Sequence, residues 1–265
     1  MTLVLESGIV LQSPSNSIWK ITSDQVNPPG DAAITYDITN AGGDFNLRST
    51  GTVDYEIEWG DGAVEISTLN TLPHTYTAGD YTLGVYSDGV YRPYFNNVTA
   101  DANQITSVTI GPGADLGTNL SNAWYGASNM TSFACPFNVT SNTTNFVRAW
   151  RSCTNLVSFP LINTSSGTNF VRGWLSCNSL TNFPANMFDT TGTLISIAFQ
   201  NAWTNCALTA QSIENILVSL DTNGASSITL GIDGGTNAAK TTWTTAAVTA
   251  YDNLIVKGWI ISFNA

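Results

Sequence analysis

Charge is what this chain has least of. Only 10% of its 265 residues are Asp, Glu, Lys or Arg, and they divide into eight cations and nineteen acids, a net charge of −11. So few cations cannot neutralise many phosphates, which argues against nucleic acid and against anionic membrane surfaces as partners. Long apolar runs are missing as well. No stretch approaches the roughly 20 residues of a membrane helix, and Met1 to Ser13 lacks a basic leader and carries Glu6 within its apolar run, so no secretory signal is expected. Histidine is represented by His74 alone, and Cys135, Cys153, Cys177 and Cys206 show no CxxC spacing. Both facts argue against a zinc site of ordinary ligand spacing, and no cofactor is expected.

What the chain has is repetition. The stretch NFVRAWRSCTNLVSFP from Asn145 to Pro160 recurs as NFVRGWLSCNSLTNFP from Asn169 to Pro184. The period extends outward through Trp124, Trp150, Trp174 and Trp203, separated by 26, 24 and 29 residues. Ala127, Cys153, Cys177 and Cys206 each follow their Trp by three. Leu120/Trp124/Ala127, Phe146/Trp150/Cys153, Phe170/Trp174/Cys177 and Phe199/Trp203/Cys206 fall at i, i+4 and i+7, which predicts a short helix with one buried stripe per unit. Met130/Phe133, Leu156/Phe159 and Leu180/Phe183 then predict a brief extended segment, ended by Pro160 and Pro184 in two of the units. A single unit cannot bury its own stripe, so the units are expected to stack as a short right-handed solenoid over residues 99–208.

The last segment, 209–265, reads as a cap of helix-plus-strand units. Thr209 is placed to N-cap a helix whose Ile213, Ile216, Leu217 and Leu220 share a face, and Gly224 to end it. A strand over 228–232, a second helix over about 246–257 stopped by Gly258, and a strand over 259–263 follow. Residues 31–98 show period-2 alternation at Ile34/Tyr36/Ile38, Val53/Tyr55/Ile57/Trp59 and Tyr81/Leu83/Val85. Turns at Gly60-Asp61-Gly62 and Asp88-Gly89 punctuate it, predicting a small antiparallel β-sandwich. Residues 1–30 read as an arm of short strands and an attachment segment. The fold class expected is therefore mainly β with short helices: sandwich, solenoid, then α/β cap.

Two motifs carry a resemblance. YEIEWGDG from Tyr55 to Gly62, followed by HTYTAGDYTL from His74 to Leu83, resembles the PKD-type, Ig-like β-sandwich pattern, and with the F…W..C..L..FP units the order is similar to that of BspA-type leucine-rich-repeat surface proteins. The likeness covers residues 45 to 208, with Trp in place of the commoner Phe in the stripe and Ala127 in place of Cys. It implies display and adhesion rather than chemistry, on bacterial surfaces or phage particles.

Candidate chemistry weighs against an enzyme. His74 is expected to hydrogen-bond near the turn of Trp59, Asp61 and Gly62 rather than to act as a base. Cys153, Cys177 and Cys206 are expected to be reduced, buried core thiols, packed with Phe146, Phe170 and Phe199. Glu56, Glu58, Asp61 and Glu65 read as a solvated strand edge rather than a glycosidase pair, and Asp61, Asp88 and Asp233 as turn residues rather than calcium ligands. Sequons at Asn97, Asn119, Asn129, Asn138, Asn142 and Asn163 are taken as products of an Asn/Thr-rich composition. Arg148 and Arg172, with Arg151 beside them, are expected to form a column on the exposed side of the helical turns. They solvate that face or offer a partner-binding surface to an acidic ligand.

Surface-display modules without an expected export signal point to a phage virion surface protein, a tail fibre or a head decoration protein. Its arm and sandwich would grip other virion proteins, and its solenoid would touch host-surface glycan or protein, optionally as a homo-oligomer. A bacterial cell-surface adhesin is the second expectation and a glycan depolymerase the third.

Overall fold

The computed structural model describes residues 2–4, 10–12, 33–50, 54–87 and 89–265. Most of the expected arm lies outside them; within it, strands β1 (Thr2–Val4) and β2 (Val10–Gln12) pair antiparallel. The chain is mainly β, with few helices.

Alternation of buried and less buried side chains builds the N-terminal half. Strands β3 (Ile34–Asn40), β4 (Gly43–Arg48), β5 (Tyr55–Glu58), β6 (Val64–Ser67), β7 (Thr71–Tyr76) and β8 (Gly79–Ser87) are followed by helix α1 (Thr99–Ala102) and strands β9 (Ile105–Ile110) and β10 (Ser132–Ala134). A six-stranded sheet runs in the order β10-β9-β3-β8-β5-β6, and β4 pairs with β7 in a separate two-stranded sheet. Ile34, Tyr36, Ile38, Ile57, Leu83 and Val85 of the large sheet are buried, as are Phe45, Leu47, Leu72 and Tyr76 of the small one. The Tyr76 hydroxyl donates to the Trp59 carbonyl at 2.8 Å, tying the two sheets together. Asp101 of α1, almost wholly buried, accepts from the Asn46 backbone at 3.0 Å and side chain at 2.8 Å and pairs with Arg48.

The boundary expected after residue 98 falls inside continuous structure. Strand β9 pairs antiparallel with β3 and parallel with β10, so one sheet runs from the N-terminal half into the repeats. Residue order explains why this is hidden in sequence: β9 reads ITSVTI, whose burial does not alternate.

The C-terminal segment follows capping chemistry. Helix α2 (Ala210–Asn223) begins where the Thr209 side chain accepts from Ser212 N, and ends at Gly224 with φ of 81°. Helix α3 (Thr245–Val256) is capped in the same way, the Thr244 side chain accepting from Ala247 N. Strands β11 (Thr229–Ile232) and β12 (Ile260–Phe263) pair in parallel. Ile213, Ile216, Leu217 and Leu220 of α2 are all buried, so a single face of that helix closes the core.

Candidate binding face

In the repeats, the apolar stripe is buried as its spacing requires, but it is not helical. Phe146, Trp150 and Cys153, and their counterparts from Leu120 to Cys206, are at most 1% exposed. The chain carries them on successive tight turns: Ala149 N donates to Phe146 O, and Cys153 N to Trp150 O, at 3.1 and 3.2 Å. Left-handed backbone at Arg148 (φ 55°) and Ser152 (φ 60°) breaks each turn away from a helix, and Arg172 and Ser176 repeat it. Two turns of four residues place positions i, i+4 and i+7 on one side much as a helix does. The signal that separates the two is the residue at the left-handed positions: Asn122, Asn201, Asn205 and Gly126 tolerate that conformation better than most.

The turns free the remaining amides to point along the stack. Phe146, Arg148, Trp150 and Ser152 donate to Asn169, Val171, Gly173 and Leu175 of the next unit at 2.8–3.0 Å. The same four positions recur on either side: Leu120, Asn122, Trp124 and Gly126 donate to Asn145, Val147, Ala149 and Arg151, and Phe170, Arg172, Trp174 and Ser176 to Ala198, Gln200, Ala202 and Thr204. At the start, Phe95 N donates to Ala123 O and Asn97 N to Tyr125 O; at the end, Trp203 N donates to Gly231 O and Asn205 N to Asp233 O. The segment around Phe95 thus forms a first rung, and β11 continues the last. Asparagine fixes the entry to each rung, the side chains of Asn119, Asn145 and Asn169 accepting from the amides of Ser121, Val147 and Val171. Threonine closes the other corner, Thr144 donating to Thr118 O and Thr168 to Thr144 O.

Equivalent aromatics meet face to face. Trp124, Trp150, Trp174 and Trp203 stack at 5.7, 5.3 and 5.0 Å, and Phe146, Phe170 and Phe199 at 4.9 and 5.1 Å. Phe133, Phe159 and Phe183 form a third column, meeting the indoles edge-on. The four stacked indole nitrogens are buried without an acceptor, a cost of about 1–3 kcal/mol each that the aromatic contacts must exceed.

The thiols are part of this core. Cys153, Cys177 and Cys206 donate to the carbonyls of Trp124, Trp150 and Trp174, one rung earlier, at 3.3, 3.1 and 3.1 Å. All four cysteines are free. Burial pushes the Cys177 and Cys135 thiols up to about 12 and those of Cys153 and Cys206 well above their usual value, so the nucleophilic thiolate is suppressed.

His74 lies on β7, its Nε2 2.7 Å from Asp61 Oδ2, and its ring stacks on Trp59 at 4.5 Å. The hydrogen bond from His74, then that from Ala63 N, hold the Asp61 carboxyl below its usual range. Gly60 in the same turn has φ of 82°, and a Cβ there would meet the Thr82 carbonyl oxygen at 2.3 Å, which excludes other residues. Gly62, with φ of 95°, completes the turn. This constellation ties a turn to a strand. Glu58 accepts from the Tyr86 hydroxyl, and Asp233 accepts from Thr204 and Ser262. An open depression of about 400 Å³ lies beside Asp37, Asp80, Thr82 and Thr106. Both of its carboxylates already accept hydroxyl donors, Asp37 from Thr82 and Ser107 and Asp80 from Thr39.

The arginines depart from expectation in one respect, and a fourth, Arg92, joins them. Arg148, Arg151 and Arg172 are half-buried on turns, not exposed on helices, and Arg148 and Arg172 are themselves in the left-handed conformation. Arg148 and Arg172 occupy equivalent places in adjacent rungs, between Asn122 and Asn201. Arg151 lies over the Tyr125 ring at 4.8 Å. Arg92 of the first rung donates to Ser121 Oγ at 2.9 Å and lies over Tyr94 at 5.6 Å; the sequence singles out neither Arg92 nor Tyr94, since the first rung lacks the Trp and Cys of the repeat, nor Tyr125, which follows Trp124 off the apolar stripe. Comparison of the chain with protein-family models, curated proteins and solved structures gives no match.

Proposed function

We propose that the protein is a non-enzymatic surface-display module of a phage virion, whose repeats form a short leucine-rich-repeat-like solenoid presented for contact with the host surface. On this reading the two facing sheets are a PKD-like β-sandwich that, with the N-terminal arm, attaches the molecule to other virion proteins. The observation that carries the proposal is the regularity of the rungs. Three successive units keep the same four inter-rung hydrogen bonds, the fourth keeps two of them, and the equivalent indoles of all four stack at 5.0–5.7 Å, which yields a rigid, one-dimensionally periodic face of the sort repeat proteins use for binding. Deeply buried thiols and hydrogen-bonded carboxylates favour display over catalysis.

Antibody raised to this chain, applied to purified particles and viewed by negative-stain microscopy, tests the proposal. Regular labelling of intact particles is expected. Particles without label, with the antigen instead on the bacterial envelope, would replace it with the adhesin reading.

A further inference from the structure

The repeats are an island of positive charge in an acidic molecule. From residue 116 to residue 188 there is no Asp or Glu and there are three arginines, a net charge of +3, which leaves −14 on the rest of a chain whose total is −11. Elsewhere among the described residues the cations are engaged: Arg48 with Asp101, Lys257 with Asp221, Lys240 over the Tyr251 ring at 3.6 Å. Arg148 and Arg172 alone among the described Lys and Arg residues make no side-chain hydrogen bond, ion pair or ring contact. Their like charges sit one rung apart, where the stacked rings of the same units are separated by 4.9–5.3 Å. The Nε atoms of Arg148 and Arg151 are cut off from water without an acceptor, so hydration that would normally offset the charge is partly stripped away.

We infer that this arginine column is the binding site for an acidic polysaccharide bearing a carboxylate on successive sugar residues. The inference deepens the display reading and rests on it. A carboxylate set between the two guanidinium groups relieves their repulsion and gains charge-assisted hydrogen bonds. Half-burial of the stems means that little side-chain freedom remains to be lost on binding. The polar surroundings suit sugar hydroxyls: Asn122 and Asn201 flank the arginines in their own column, and Ser152 and Ser176 occupy the turn beside them. A polymer is favoured because the face itself repeats, presenting equivalent arginines on adjacent rungs. One carboxylate seated between two guanidinium groups needs only the cations this face holds, whereas the many phosphate contacts of a nucleic acid need more than the three arginines present there.

The test is calorimetric titration of the full chain with polygalacturonate oligosaccharides, against Arg148→Asn/Arg172→Asn. Asparagine already occupies the equivalent left-handed position at Asn122 and Asn201, so the variant keeps the turn, and its melting curve verifies the fold. Binding that weakens with salt, falls by about tenfold or more in the double variant, survives Lys240→Asn and is lost on methyl esterification of the oligosaccharide is expected. No binding, equal binding to the methyl ester, binding indifferent to the double variant, or tighter binding to an oligothymidylate would overturn it. Particle labelling that persists alongside any of those outcomes leaves display standing and removes only the acidic glycan.

Discussion

The two halves of the molecule solve the same problem, satisfying backbone groups while burying aromatics, with different materials. In the N-terminal sheets, strands of up to nine residues pair with one another, and polar side chains lock the arrangement: Asp101 to Asn46 and Arg48, Asp61 to His74. In the repeats the backbone pairs in short lengths between turns, carboxylates are absent from 116 to 188, and stacked rings do the locking. Removing one ring should therefore damage the repeats more than removing one charge damages the sheets.

The largest effect is expected from Trp150→Ala or Trp174→Ala. Each leaves a cavity between two stacked neighbours and costs about 3–5 kcal/mol, read from denaturant unfolding; unchanged midpoints for both would contradict a buried column. Asp101→Asn, the corresponding break in the sheets, is expected to cost about 2 kcal/mol, because Arg48 is 24% exposed and regains water once its partner is neutral. A larger loss than that of the Trp variants would reverse the comparison.

Cys177→Ala should cost about 1 kcal/mol at neutral pH, since Ala127 already fills the same place two rungs away in the first Trp-bearing unit. Its consequence for pH is more telling. The folded Cys177 thiol is raised to about 12 from 9.0, so its contribution is present below the unfolded value and is lost as pH climbs from 9 towards 12. The variant lacks that loss, and its stability gap from the parent should close across that range; parallel pH profiles would mean the thiol is not buried. The smallest effect is a gain. Ser176→Gly relieves left-handed strain at φ of 63° and should add about 0.5–1 kcal/mol after the entropy cost of glycine.

How much of this was legible follows from the same contrast. The repeat period, the buried stripe and the two helices α2 and α3 are legible because each rests on local spacing: Thr209 caps the first, Gly224 and Gly258 end them, and Trp recurs, while the Thr244 cap of α3 is shown by the structure. The spacing predicts helices where the structure has rungs, because burial at i, i+4 and i+7 is common to a helix and to two consecutive turns. Arg148 and Arg172 at left-handed positions concealed the difference that Asn122 and Asn201 disclose. The shared sheet at β9 was not legible, since its pairing with β3 depends on residues some seventy positions away in sequence and its burial pattern has no clean period. For the candidate face, Arg148, Arg151 and Arg172 stood out by repetition. Arg92 and Tyr94 belong to an irregular first rung without the Trp and Cys of the repeat, and Tyr125 is tied to the face only by the ring contact with Arg151.

Residue-resolved amide hydrogen exchange tests the inter-rung ladder most directly. The account predicts that the amides of Phe146, Arg148, Trp150 and Ser152, and of Phe170, Arg172, Trp174 and Ser176, exchange slowly and with closely similar protection, because all eight donate to the following rung. Fast exchange at these amides, with protection confined to α2, α3 and the N-terminal strands, would contradict it.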